Sequence, residues 1–265
     1  MSTLSPADQL RFVSPWEVTP HEEHDPSRSD RYRTEIESDG FLRHPLLCLR
    51  VRDGFTVVLD GHNRLAACRE LRVPHIPVHL LELCQVRLKS WVHLINGAGF
   101  DEVCRAFSDA GFKPGDDDTR TGVCVFDPTG HRAVMRLPTD DIETVVDSFR
   151  RAVAGYTTSH TTVDRVDDAP SFTDRVTVRF PRWTLGQFIA AVAAKVMFPA
   201  GVSRFTPKVD RLLQVEVPLP VLRADAAAGA KTAWLRRRLQ RVGLRPCGQI
   251  EHYCGPNLVP RSPCG

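Results

Sequence analysis

The sequence predicts an α+β protein built from an N-terminal module and a second α+β domain. Two observations carry that reading. Short β-branched runs alternate with helical patterns between residues 11 and 83, and a second set of strands and helices follows beyond Gln85. A chain of 265 residues with 42% apolar content can bury a substantial core. The composition shifts place one domain at 1–84, a second at 85–246 and a loosely held tail at 247–265, where Gly, Pro and Cys accumulate without periodicity.

The elements follow in order. Asp25-Pro26 reads as an N-cap with proline in the first turn, opening a sparsely apolar helix that runs to Ser38 before Gly40 ends it. Strands at 46–51 and 55–59 are joined by Arg52-Asp53-Gly54, a good hairpin turn. A helix over 62–71 and a strand over 76–80, bounded by prolines, complete the first module. In the second domain, 86–95 and 100–110 read as helices, 113–121 as an acidic loop, and 122–126 with 133–137 as paired strands. The helix predicted over 140–153 has acids early, arginines late and Gly155 beyond its end. A strand at 176–180, a Thr184-capped helix to about 196, strands at 202–205 and 212–217 and a last helix from about 226 to 241 complete the list.

A net charge of +3 leaves the choice of partner open, since it is too small to imply nucleic acid. No apolar run spans a bilayer, and residues 1–9 lack a signal-peptide pattern, so the expected location is cytoplasmic and no membrane partner is implied. The eight cysteines form no CxxC pair, and several lie in apolar stretches, which predicts reduced, mostly buried thiols. Cys247, His252 and Cys254 lack the further partner that zinc spacing requires. Residues 258–262, Leu-Val-Pro-Arg-Ser, resemble a protease-tag remnant and carry no functional reading. The arginines at 236, 237, 238 and 241 read as a solvated helix end favoured by the dipole.

The most informative stretch runs from Phe55 to Cys68, where an apolar strand turns through Asp60-Gly61 into a helix that begins His62-Asn63-Arg64. A strand-to-helix turn of this kind presents backbone N–H groups and the positive end of a helix dipole, a natural seat for phosphate. Ordinary Asp-Gly turns share the spacing. A second polar cluster, His21-Glu22-Glu23-His24-Asp25, precedes the first helix. With Glu22 opposite the Asp60 turn, a phosphate cradle would face a carboxylate base, as phosphoryl transfer to an alcohol requires; solvated loop polarity is the competing reading. The third cluster is Gly201-Val202-Ser203-Arg204-Phe205, whose arginine fork suits a carboxylate or phosphate, or a surface ion pair. Trp91 fits a core anchor more readily than a ligand contact.

Taken together, the Asp60 to Arg64 turn, His21-Glu22 and the stretch from Glu35 to Pro45 resemble the free L-serine kinases of ParB/sulfiredoxin-like fold, with the siderophore-pathway members nearest. The likeness continues at Ser90-Trp91, at Pro199 to Phe205 and at Leu213 to Leu219, so it spans most of the chain. The resemblance implies an ATP-dependent (or ADP-dependent) kinase with Mg2+ that phosphorylates the hydroxyl of L-serine, giving O-phospho-L-serine for siderophore or 2,3-diaminopropionate-type biosynthesis. It implies Glu22 as catalytic base, with Asp60 and His62 also catalytic and Asp60 placing the metal. Gly61, His62, Asn63 and Arg64 would bind nucleotide phosphates, and Trp91, Ser203 and Arg204 the amino acid. Members commonly carry histidine at the position of Asn63, so one imidazole is missing here and charge beside the phosphates is lower.

The rival reading is a ParB-like, nucleotide-dependent DNA-binding or regulatory protein without kinase activity. The small net charge, the lack of a helix-turn-helix pair and the presence of Glu22 speak against it. Sulfiredoxin chemistry needs a cysteine in the phosphate turn, and positions 61 to 63 are Gly, His and Asn.

Overall fold

The computed structural model describes residues 6–51, 55–115, 122–166, 174–247 and 257–261. The chain forms two compact units, one from 1–87 with 205–265 and one from 88–204. Residues 205–246 group with the N-terminal residues and not with 88–204. The reason is burial: Leu212, Val215, Val217, Leu219, Leu222, Leu235 and Leu239 share one core with Leu10, Phe12, Leu46, Val58 and Val78.

The first unit begins with a 3-10 turn, Pro6–Gln9, and strands β1 (Leu10–Val13) and β2 (Val18–Pro20). Helix α1 (Pro26–Asp39) starts as the sequence predicts: the Asp25 carboxylate accepts from the Ser27 and Arg28 amides, and Gly40 closes the helix at φ 75°. Next come β3 (Phe41–Leu42), β4 (Leu46–Arg50), β5 (Thr56–Asp60), α2 (His62–Glu70) and β6 (Ile76–Leu81). Five strands form a mixed sheet in the order β1-β6-β4-β5-β2. In it β4 pairs antiparallel with β5, while β2 lies parallel to β5. This last pairing brings the ends of β2 and β5 side by side, with Pro20 opposite Val58. The predicted turn at 52–54 lies outside the described residues.

The chain leaves this unit within β7 (Val86–Ser90) and continues into β8 (Val92–Asn96). The helix expected over 86–95 is therefore two strands. Val86, Leu88 and Ser90 alternate with charged residues along β7, while β8 is buried at four consecutive positions between two neighbours, so the apolar run has strand and not helix spacing.

The second unit adds α3 (Phe100–Asp109), β9 (Lys113–Pro114), β10 (Gly122–Phe126), β11 (Arg132–Arg136), α4 (Ile142–Tyr156), β12 (Thr162–Val166), β13 (Val176–Arg179) and α5 (Leu185–Ala193). Its six strands, all antiparallel, run β12-β8-β13-β10-β11-β9. Aromatic rings fill its core edge to face, with Phe107 on Phe112, Phe112 on Phe149 and Phe149 on Trp183. Gly155 falls inside α4, not beyond it, where a side chain would collide with Ala106 Cβ at 2.9 Å.

The chain returns within β14 (Ser203–Pro207), then forms β15 (Arg211–Leu212), β16 (Val217–Pro218), α6 (Leu219–Arg223), α7 (Ala228–Val242), β17 (Leu244–Cys247) and β18 (Asn257–Pro260). The strand expected over 212–217 is interrupted because Gln214 and Glu216 both take φ 50°, which turns the chain out of any ladder while Leu213, Val215 and Val217 remain buried. The tail also departs from expectation. Asn257–Pro260 pairs parallel with β15 and antiparallel with β17, and Val259 is buried. The tag-like residues 258–260 are thus a structural strand. His252 and Cys254 of the zinc candidate lie outside the described residues.

The thiols are more varied than expected: Cys48 and Cys68 are buried, Cys84 is exposed, and Cys104, Cys124 and Cys247 are half-buried. Burial pushes the Cys68 thiol up to about 12, which makes it unreactive. The arginines of α7 are not simply solvated. Arg236 donates to the Asp8 and Leu10 carbonyls and Arg238 to those of Val215 and Glu216, so both fasten α7 to its own unit. Among the described residues no helix is long and apolar enough to cross a membrane.

Candidate active site

The site in the first unit grows from the parallel pairing of β2 and β5. After β5, Gly61 adopts φ 106° and α2 starts at His62; as glycine, this N-cap residue has no side chain to offer the first amides. A side chain at position 61 would meet Leu46 Cγ at 2.9 Å and Arg64 Nη2 at 3.1 Å, so both the backbone angle and the space require glycine. After β2, the chain delivers His21 and Glu22 to the same place. His62 Nδ1 lies 3.2 Å from Glu22 Oε1, His21 Nε2 lies 3.9 Å from Glu22 Oε2, and the two imidazole rings meet edge to face at 4.5 Å. Phe205 closes the other side, its ring centroid 5.2 Å from that of His21.

The tautomer of His21 follows from its neighbours. Nδ1 sits 2.6 Å from the Val58 carbonyl, which can only accept, so Nδ1 carries the proton and Nε2 a lone pair. Complete burial, reinforced by the nearby His62, pulls the His21 pKa down to about 4. The ring is neutral at pH 7 and adds no positive charge beside the carboxylate. Glu22 itself remains partly open to solvent, with 22% of its side chain exposed.

Asp60, at the end of β5, is surrounded by cations. Its Oδ2 accepts from Arg64 Nη2 at 2.9 Å and from Arg211 Nη2. Burial works to raise this carboxyl's pKa, but the Arg211 and Arg64 guanidiniums outweigh it and hold the group below the usual carboxylate range. Arg211 lies 151 residues away in sequence and escaped the sequence reading altogether. Nothing in Val209-Asp210-Arg211-Leu212 marks it locally; only the pairing of β15 with β18 brings it into register.

The turn residues divide their work differently from the sequence expectation. Arg64 is 3% exposed and its Nη1 donates to the His44 and Pro45 carbonyls, so the guanidinium faces inward and does not project toward a ligand. Asn63 Oδ1 accepts from the Asp25 amide at 2.8 Å, tying the start of α1 to the start of α2. The side-chain ends of Asn63 and Arg64 are thus engaged with the protein, and both residues stand at the start of α2. For Asp60, a metal ion at Oδ2 would sit against two guanidiniums. Among the described residues, the groups close enough to share one ion are His21, Glu22 and His62, whose ligand atoms all lie within 4.8 Å of one another.

Trp91, Ser203 and Arg204 belong to the second unit. There the Arg204 guanidinium stacks over the Trp91 ring at 4.0 Å, and Ser203 and Arg204 are buried. Trp91 is only half-buried, and its amide donates to the Val202 carbonyl. Behind them His93, also missed by the sequence reading, donates from Nε2 to the Gly201 carbonyl at 2.8 Å and accepts at Nδ1 from the Tyr156 hydroxyl, which fixes the loop leading into Ser203.

No family model matches the chain. The ATP-dependent L-serine kinase SbnI of Staphylococcus aureus is 25% identical over 222 residues, covering 82% of this chain and 85% of that protein. The solved structure of C-terminally truncated SbnI from Staphylococcus aureus superposes with a TM-score of 0.73 at 22% identity, over 88% of this chain and 97% of that one. A free serine kinase in complex with AMP superposes with a TM-score of 0.65 at 14% identity, over 81% of this chain and 93% of that one. The chain shares the fold of SbnI and of the free serine kinases.

Proposed function

We propose that the protein is a free L-serine kinase that transfers the terminal phosphoryl group of ATP, or of ADP, to the serine hydroxyl, giving O-phospho-L-serine. The observation that carries this reading is the convergence of Glu22 with His21 and His62 at the start of α2, a carboxylate beside a phosphate seat in a chain similar to a serine kinase. The Glu22 carboxylate takes the proton from the serine Oγ. Oγ then attacks the terminal phosphorus, and the bond from that phosphorus to the bridging oxygen breaks as the shorter nucleotide leaves.

Positioning and charge neutralisation dominate such a transfer. His62 orients the Glu22 carboxylate through Oε1, and the α2 amides of His62, Asn63 and Arg64 receive phosphate oxygens above Gly61. Arg211 and Arg64 supply positive charge through their shared hold on Asp60. Asp60 would be the residue to hold a magnesium ion, which when bound would supply positive charge to the nucleotide phosphates; in the structure its Oδ2 engages the arginines. Within the second unit, Arg204, stacked on Trp91, and Ser203 are groups that suit a carboxylate such as that of an amino acid. The product fits a supply of phosphoserine for siderophore or 2,3-diaminopropionate-type assembly in the cytoplasm.

Phosphorus NMR of the protein with L-serine and MgATP or MgADP tests the proposal, with threonine and homoserine as alternative acceptors. A phosphomonoester signal that requires serine and disappears in Glu22→Gln is the expected result. Nucleotide binding with no transfer to any acceptor would overturn the kinase reading, and a salt-resistant gel shift would then favour DNA binding.

A further inference from the structure

The same three side chains that place the base also make a ligand set of a different character. We propose that His21, Glu22 and His62 form a binding site for a divalent transition-metal ion of the zinc class, held by protein side chains alone and separate from the magnesium that travels with a nucleotide. The donor types decide the class of ion. Two imidazoles with one carboxylate suit zinc, cobalt or nickel, whereas magnesium selects oxygen donors and keeps its water.

The spacing agrees. A tetrahedral ion at roughly 2.1 Å from each donor holds its ligand atoms about 3.4 Å apart. Here His62 Nδ1 to Glu22 Oε1 is 3.2 Å and His21 Nε2 to Glu22 Oε2 is 3.9 Å, and the whole set lies within 4.8 Å. Its support is also built. The Val58 carbonyl, 2.6 Å from His21 Nδ1, fixes the tautomer that presents Nε2 as a donor, the outer-shell arrangement typical of metal-bound histidine. The rings are buried beside β2, β5 and Phe205, which holds the donors near one another, and closing on an ion draws the set in from its 4.8 Å span through the partly exposed Glu22 side chain. When the ion enters, it takes the place of the proton that His62 Nδ1 presents to Glu22. That proton passes to Nε2, which gives up the long 3.5 Å contact from the His21 amide. Three protein ligands leave one position for water or a phosphate oxygen.

A functional consequence rests on the kinase reading. An ion bound to the Glu22 carboxylate withdraws the base, so zinc inhibits phosphoserine formation and a chelator restores it.

The binding itself is tested without nucleotide or serine, so failure of the kinase reading leaves it standing and the converse holds too. Zn2+ is titrated into the full chain against a chelating dye, and Co2+ is used in parallel for its visible absorption. The expected result is one equivalent bound, resistant to about a thousandfold excess of Mg2+. Affinity should weaken by about tenfold or more in Glu22→Gln and in His62→Ala, and stay unchanged in His24→Ala, which alters a nearby exposed histidine outside the set. Circular dichroism of each variant shows that the fold persists, and the isosteric Glu22→Gln decides the case if His62→Ala unfolds. Absence of a stoichiometric site, or equal affinity in the wild type and Glu22→Gln, would overturn the proposal.

Discussion

Gly61 shows how one residue can hold a site open. Its φ of 106° and the contacts awaiting a side chain, Leu46 on one side and Arg64 on the other, mean that Gly61→Ala strains the backbone and pushes on the arginine that grips Asp60. Such left-handed strain costs about 1–3 kcal/mol, which chemical denaturation would register as a lower midpoint, and nucleotide affinity should fall with it. At this scale the sequence was informative where chemistry is local. Asp60-Gly61 announced the turn, and Asp25 with Pro26 announced a capped helix, because the atoms that satisfy one another lie within a few residues. It was uninformative about Arg211 and His93, whose partners lie between 63 and 151 residues away, and about where the ends of Asn63 and Arg64 point, since a polar residue in a turn gives no sign of facing inward.

The elements that escaped prediction are those whose identity depends on a distant neighbour. The stretch 86–95 is apolar enough for either structure, and the pairing of its second half, β8, with 162–166 and 176–179 decides for a strand there, while β7 pairs with β14. The tail strand β18 has the same origin: its residues have no periodicity of their own, yet Leu258 and Val259 are fixed by β15 and β17. Since Asn257 sits opposite Arg211, ending the chain at Cys247 removes the strand that sets the register of that arginine. Thermal unfolding of the shortened protein should show a midpoint lower by at least about 3 °C, and the affinity for nucleotide should drop while the second unit keeps its structure. An unchanged midpoint would show that β18 is dispensable.

For the whole molecule, the buried histidines dictate how stability responds to acid. His21, His79 and His93 have pKa values near 4 and His44 about 3, in each case because burial disfavours the charged ring. Unfolded, each ring returns to about 6.5, so between these limits the unfolded chain binds more protons than the folded one. Stability is therefore fully present above pH 6.5 and falls as the pH drops toward 4, by up to about 1.4 kcal/mol per pH unit for each histidine. Urea midpoints measured at pH 7.5 and 5.5 should differ clearly, and replacing His79, which bonds Gln9 and the Leu212 amide, with Gln should flatten the slope. A midpoint independent of pH in this range would contradict the buried neutral rings.

The way the two units share the chain sets an order of events during synthesis. Residues 88–204 are contiguous, so the second unit can collapse as soon as it leaves the ribosome, whereas the sheet that begins at Leu10 waits for Leu212, Leu222 and Leu235 before its core is complete. Of the two units, the one begun first is thus the last to mature, and it spends the intervening time with part of its shared core unfilled. A nascent chain halted near residue 204 should resist protease only across its second unit, and the N-terminal segment should be a natural client for a chaperone that binds exposed strands.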